Sequence, residues 1–179
     1  MIEIYNLLLS SIFIFILFSF NNNIINKYTK KDIFKNISIG LIVFFNIFLF
    51  FSFFGNSLKI LFYLLILITI FNSRNFTYNL KKINFIIFLI LNVVLFSQIS
   101  ADATLGWDGQ MIWYPKAFNF FNGGNFSDLK EFPFPNYPHL GPYLWSIFWK
   151  VSYLKYEYTG RFIYIFLYTT SLFILVSNN

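Results

Sequence analysis

Four stretches of this chain, residues 4–20, 37–54, 83–100 and 162–177, contain no charged side chain. A helix that stays free of charge for ~17–25 residues matches the thickness of a lipid hydrocarbon layer. A helix on the surface of a soluble domain would need a polar face, and strands rarely run so long. Two further apolar segments, 58–71 and 140–153, complete a set of six. The third in chain order is short, and Lys59 at its edge can extend it by snorkelling. The fifth holds Trp145, Trp149 and Lys150, which suit a helix near an interface or one packed among others. The expected fold is therefore all-α. It is a polytopic transmembrane bundle of about six spans, one domain over residues 1–179, with a long outer loop at 101–139 that contains a short amphipathic surface helix.

Composition leads the same way. Charged residues make up 11% of the chain, against about 25% in soluble domains. So few charges cannot cover a water-soluble surface of this size. The chain has no cysteine, which excludes disulfides, thiolate metal sites and cysteine nucleophiles. A net charge of +6 would fit a nucleic-acid partner in a soluble protein. Here the cations lie in short connections between apolar runs, so topology accounts for them and nucleic acid is set aside. The first segment has Glu3 as its early charge and no small-residue cleavage site, so it is expected to be an uncleaved span.

Orientation follows from those cations. Lys27, Lys30, Lys31 and Lys35 follow the first segment, Arg74, Lys81 and Lys82 follow the third, and Lys155 and Arg161 follow the fifth. If all six segments cross, these connections share one side, and cations mark the cytoplasmic face. The other side receives the turn near residues 55–57 and the long loop. That loop carries Asp102, Asp108, Asp128 and Glu131 against Lys116 and Lys130, the acidic balance expected outside.

A loop of about forty residues is uncommon in so small a chain unless it has a function. All five prolines lie in it or just after it, and it holds the only histidine, His139. Trp107, Met111, Tyr114, Phe118 and Phe121 recur at helical spacing. Pro115 divides this pattern into two short pieces and can begin the second. Gly123-Gly124 stops it. Such a helix beside a span lies along the membrane surface, and membrane lipid is its expected partner. An aromatic platform for a sugar or lipid is the alternative reading of the same rings. The proline-dense segment that follows should be stiff and extended, with Tyr137 and His139 near the outer surface.

Asp108 and Asp102 are the chemical candidates. A carboxylate at the membrane surface can act as a general base or bind a divalent cation. A loop aspartate can equally be solvated or cap a helix. Asp108 stands ahead because Trp107 and a second indole, Trp113, flank it, which would thin out water around it. A lone histidine makes a zinc site improbable. Lys116 can snorkel or pair with a phosphate.

These residues together resemble the first large outer loop of polytopic glycosyltransferases of the GT-C fold class, including bacterial relatives of the protein mannosyltransferases. That family places an acidic residue just after a span, then an amphipathic surface helix, then a Pro-rich return of the His/Tyr-Pro-Pro-Leu kind. The matching pieces are Asp108 with Trp113, Lys116 and Ala117, then Asn122-Gly123-Gly124, then Asn136-Tyr137-Pro138-His139-Leu140 leading into Pro142 and Trp145. They cover residues 102–161, about a third of the chain.

The resemblance implies transfer of a sugar from a polyprenyl-phosphate carrier to an acceptor on the outer face of a bacterial inner membrane. It implies Asp108, then Asp102, as the carboxylate that activates or positions the acceptor or holds a metal. Lys116, Tyr137, His139 and Trp113 are the implied contacts to carrier phosphate or sugar. Family members reach this loop after their first span and are far longer, so the chain is expected to be an N-terminal portion, inactive alone. The competing class is a small non-catalytic membrane protein, a transporter part or assembly subunit. Few polar groups within the segments (Asn46, Asn92, Gln98 and Lys150) could serve transport.

Overall fold

In the charge-free runs, apolar side chains offer the backbone no competing hydrogen bonds, so helical pairing continues until polar or proline-rich sequence interrupts it. The computed structural model describes residues 2–18, 33–74, 82–101, 104–152 and 156–177. Asp102 lies outside the described residues. The long helices are α1 (Ile2–Phe18), α2 (Ile33–Phe51), α3 (Ser57–Arg74) and α4 (Lys82–Ala101). The loop forms a π-helical turn (Gly109–Trp113), α5 (Tyr114–Phe121) and a 3-10 turn (Phe126–Glu131). Then come α6 (Leu140–Val151), a second 3-10 turn (Glu157–Arg161) and α7 (Phe162–Ser177). No strand occurs among the described residues, so the all-α expectation holds.

Phe88 of α4 organises one end of the bundle. Its ring centroid lies 5.6 Å from Phe15 of α1, 5.5 Å from Phe34 of α2, and 5.6 and 5.5 Å from Phe166 and Phe173 of α7. One turn further along α4, buried Asn92 accepts a hydrogen bond from Thr169 at 3.1 Å and donates to the Phe88 carbonyl at 2.7 Å. Phe96 meets Phe162 at 5.0 Å, so α7 runs antiparallel to α4. At the opposite end, the loop sits on the turn between α2 and α3. Phe126 N–H donates to the Ser52 carbonyl and Asn56 N–H to the Gly123 carbonyl, at 3.0 and 2.8 Å. The turn near residues 55–57 and the long loop therefore share one end, as the charge pattern predicts.

Among the described residues, two helical segments are long and apolar enough to cross a membrane: Phe34–Phe51, with mean hydropathy 1.9, and Glu157–Leu175, with 1.2. The apolar parts Leu8–Leu17, Ser57–Phe71 and Ile86–Ile99 are shorter. The described residues thus bear out an all-helical bundle with two full-length candidate spans rather than six, and the fifth segment is the clearest departure. Helix α6 has 12 residues, about 18 Å of rise, well short of the ~30 Å hydrocarbon layer. It starts at the loop end, where Tyr143 and Ser57 hydroxyls lie 2.8 Å apart. Its last residues share a cavity of about 340 Å³ with Leu9, Phe13 and Phe62, inside the bundle.

There the chain reverses. The Thr159 hydroxyl donates to Ser152 Oγ at 2.7 Å, Trp145 Nε1 donates to the Glu157 carbonyl at 3.2 Å, and the Tyr164 hydroxyl donates to the Gly141 carbonyl at 2.8 Å. Residues 157–164 thus run back along α6, and α7 begins at the loop end. The expectation that Arg161 lies on the side opposite the loop is corrected. Reading the fifth segment as a crossing hid a short helix buried along Pro142–Trp149, whose indoles pack against the returning chain.

Candidate functional site

The surface helix forms where its pattern places it, but Pro115 does not divide it: the π-helical turn runs directly into α5, and the proline sits in the first turn of the latter. Trp107, Met111 and Phe118 are exposed, while Ile112, Ala117 and Phe120 are buried together with Lys116. Tyr114 and Phe121 pack inward against Trp145 and Trp149, so the aromatic stripe is split between the outer and inner faces. Phe121 stacks on Trp149 of α6 at 4.1 Å between ring centroids, fixing the far end. Gly123 stops the helix with φ +96°, a left-handed backbone that suits glycine.

Three of the predicted contact residues converge. The Lys116 amine is 5.9 Å from the Trp113 ring centroid and 5.8 Å from that of Tyr137, and these two rings lie 5.9 Å apart. Lys116 Nζ donates to the Phe134 carbonyl at 2.5 Å. Phe134 has φ +55°, a strained left-handed conformation for a phenylalanine, and the turn aims its carbonyl at the amine. The proline-rich return is therefore not simply extended. It doubles back over Lys116, and burial pushes that amine below its usual range. Lys116 is 0% exposed and, through this bond, clamps the return.

His139 stands apart from that cluster. Its ring packs between Phe53 and Phe126, at 5.8 and 4.3 Å, and its Nε2 lies 3.0 Å from Ser52 Oγ. The Ser52 hydroxyl donates to the Leu49 carbonyl at 2.6 Å, so Ser52 accepts and His139 Nε2 carries the proton. Burial first, and the nearby Lys116 charge second, lower the affinity of His139 for a second proton. The folded chain is thus a poorer proton acceptor here than the unfolded chain. Below pH 6.5 the unfolded state binds more protons, and stability falls as pH falls. The expected result is a thermal midpoint that drops between about pH 7 and 5.5, with a flatter slope in His139→Gln.

Asp108 is exposed at the start of the π-helical turn and makes no capping hydrogen bond. Asp128, by contrast, is structural. It accepts from Asn125 N–H at 2.7 Å in a capping box that starts the first 3-10 turn. Next to Asp108, Gly109 lines an open cleft of about 470 Å³, whose walls include Trp113, Pro138, Trp145 and Arg161. Arg161 comes from the returning arm of the α6 hairpin. It is ion-paired to Glu157 four residues earlier and lies over the Trp145 ring, 5.4 Å from its centroid.

Sequence reasoning passed over this pair. The i,i+4 spacing of Glu157 and Arg161 was the available signal, since such residues meet on a helical turn. Among the described residues, no three His, Cys, Asp or Glu side chains gather as a metal site. No family profile, curated protein or solved structure matches the chain.

Proposed function

We propose that this chain is a multi-pass membrane protein of the glycosyltransferase type. It would take a sugar from a polyprenyl-phosphate-linked donor and pass it to an acceptor at the outer face of a bacterial inner membrane. The observation that carries the reading is the cleft between the loop and the α6 hairpin. It is mostly apolar, it has indoles and a guanidinium in its walls, and an exposed carboxylate, Asp108, stands one residue from Gly109 in its lining. In this scheme Asp108 takes the acceptor's hydroxyl proton as the acceptor oxygen attacks the sugar carbon. The carrier phosphate leaves from the opposite side. Asp102 is the second candidate for that role.

Membrane residence is supported by the outward faces of the long helices. Ile42 and Phe50 of α2, Tyr63 and Leu67 of α3, and Ile90 and Val94 of α4 are exposed, an apolar surface that water would disfavour. With α6 re-entrant, the proposal has five crossings and one hairpin that enters and leaves from the loop side. The absence of cysteine makes this easy to test by single-cysteine labelling. An impermeant maleimide should reach Ser127→Cys and Asn179→Cys from opposite sides of the membrane. Six crossings would put both on one side. The activity test is transfer of labelled hexose from a polyprenyl-phosphate donor by the full-length protein that contains this chain, in proteoliposomes, with and without a divalent cation. Failure of that protein with every donor would assign the chain to the non-catalytic class.

A further inference from the structure

The apolar cleft does not end at Arg161. A second recess of about 480 Å³ begins there, and both are walled by Leu105 and Arg161. The second recess is more polar than the cleft: Thr104, Gln110 and Glu157 line it beside Leu105 and Tyr114. An apolar channel that opens into a polar recess, with a guanidinium at the junction, has the shape of an amphiphile. Arg161 is 8% exposed, and Glu157 occupies its guanidinium with a two-point grip, Nε to Oε1 at 2.9 Å and Nη2 to Oε2. A carboxylate and a phosphate present the same paired oxygens to an arginine fork. A nearly buried guanidinium also needs a counter-ion when no ligand is present. Lys116 is buried under the Phe134 carbonyl, which leaves Arg161 as the cation on the cleft wall.

We propose that cleft and recess together bind one phosphate-bearing lipid. Its chain lies in the cleft and its phosphate on Arg161, and Glu157 is an internal counter-ion that the phosphate displaces. Glu157 has the route out, because its side chain is 21% exposed against 10% for Arg161. The prenyl nature of the lipid rests on the transferase reading; the phosphate and its partner do not.

The full chain in a phosphate-free maltoside detergent, followed by its tryptophan fluorescence, tests this, since Trp113 and Trp145 line the cleft. Farnesyl monophosphate should bind saturably, with farnesol and inorganic phosphate each weaker by about tenfold or more. Arg161→Gln should weaken farnesyl phosphate by about tenfold or more, and Arg161→Lys by less, because a lysine keeps the charge and loses only the planar two-point fork. Glu157→Gln should tighten binding by a few-fold, about three or more, because the competing charge is gone. Farnesol binding as well as its phosphate would overturn the proposal, as would Arg161→Gln binding normally. An unchanged or weaker Glu157→Gln would overturn the counter-ion. Should Arg161→Gln fail to fold, the sign of the Glu157→Gln effect decides.

Phosphatidic acid binding as tightly as farnesyl phosphate would support the site and remove the prenyl preference that the transferase reading needs. Binding without sugar transfer would likewise sink the transferase and keep the site. Transfer with an unchanged donor KM in Arg161→Gln would do the reverse.

Discussion

Gly160→Ala should lose about 3 kcal/mol of stability, about 10 °C in thermal midpoint for a chain of this size. A β-carbon at this position would stand 2.3 Å from the Trp145 carbonyl oxygen, 2.4 Å from the Trp145 ring and 3.0 Å from Trp149 Cβ. The first obstacle is backbone within α6, which cannot rotate away as a side chain can. Relief requires the two arms of the hairpin to separate. That would break the Trp145–Glu157 bond and shift Arg161 out of the cleft wall. Gly141→Ala is the matched control. Its β-carbon would meet only the Tyr164 hydroxyl, at 3.5 Å, an ordinary contact, and alanine is the better helix former. Its midpoint should hold or rise slightly. A Gly160→Ala protein with the parental midpoint would mean that the arms do not approach so closely, and the re-entrant hairpin would fall with it.

That hairpin marks the boundary of what the sequence makes legible. Helices α2 and α4, the stop at Gly123 and the start at Pro115 all follow from local rules. Those rules are length without charge, left-handed glycine and the fixed φ of proline. The end of the bundle that holds the loop also follows, because charge balance is a property of short segments. What stays hidden depends on long-range meeting. In sequence α6 passes for one more apolar segment, and its burial against Phe121 and Gly160 identifies it as a core helix. Lys116 reads as a snorkelling or phosphate-binding cation until Phe134, eighteen residues later, turns its carbonyl onto the amine. Asp108 and Gly109 are adjacent in sequence, but the cleft they border takes its far wall from Arg161 and Tyr164. No local pattern could supply that wall.

If the proposed transferase reading holds, Asp108→Asn in the full-length protein should reduce sugar transfer by about a hundredfold or more, the scale on which a positioned general base contributes. Asparagine keeps the size and polarity of the side chain and loses the ability to take a proton. Asp108 caps nothing, so the π-helical turn has no reason to open, and helix content and midpoint should match the parent. The split between kinetic constants carries the argument. On the proposed reading donor contact belongs to the cleft and to Arg161, neither of which the change touches, so donor KM should hold while kcat falls. A rise in KM with kcat unchanged would make Asp108 a binding residue on the rim. Normal turnover in Asp108→Asn beside a comparable loss in Asp102→Asn would move the base to Asp102. Normal turnover in both would remove loop aspartates from the chemistry and leave Glu157 as the carboxylate in the polar recess to examine next.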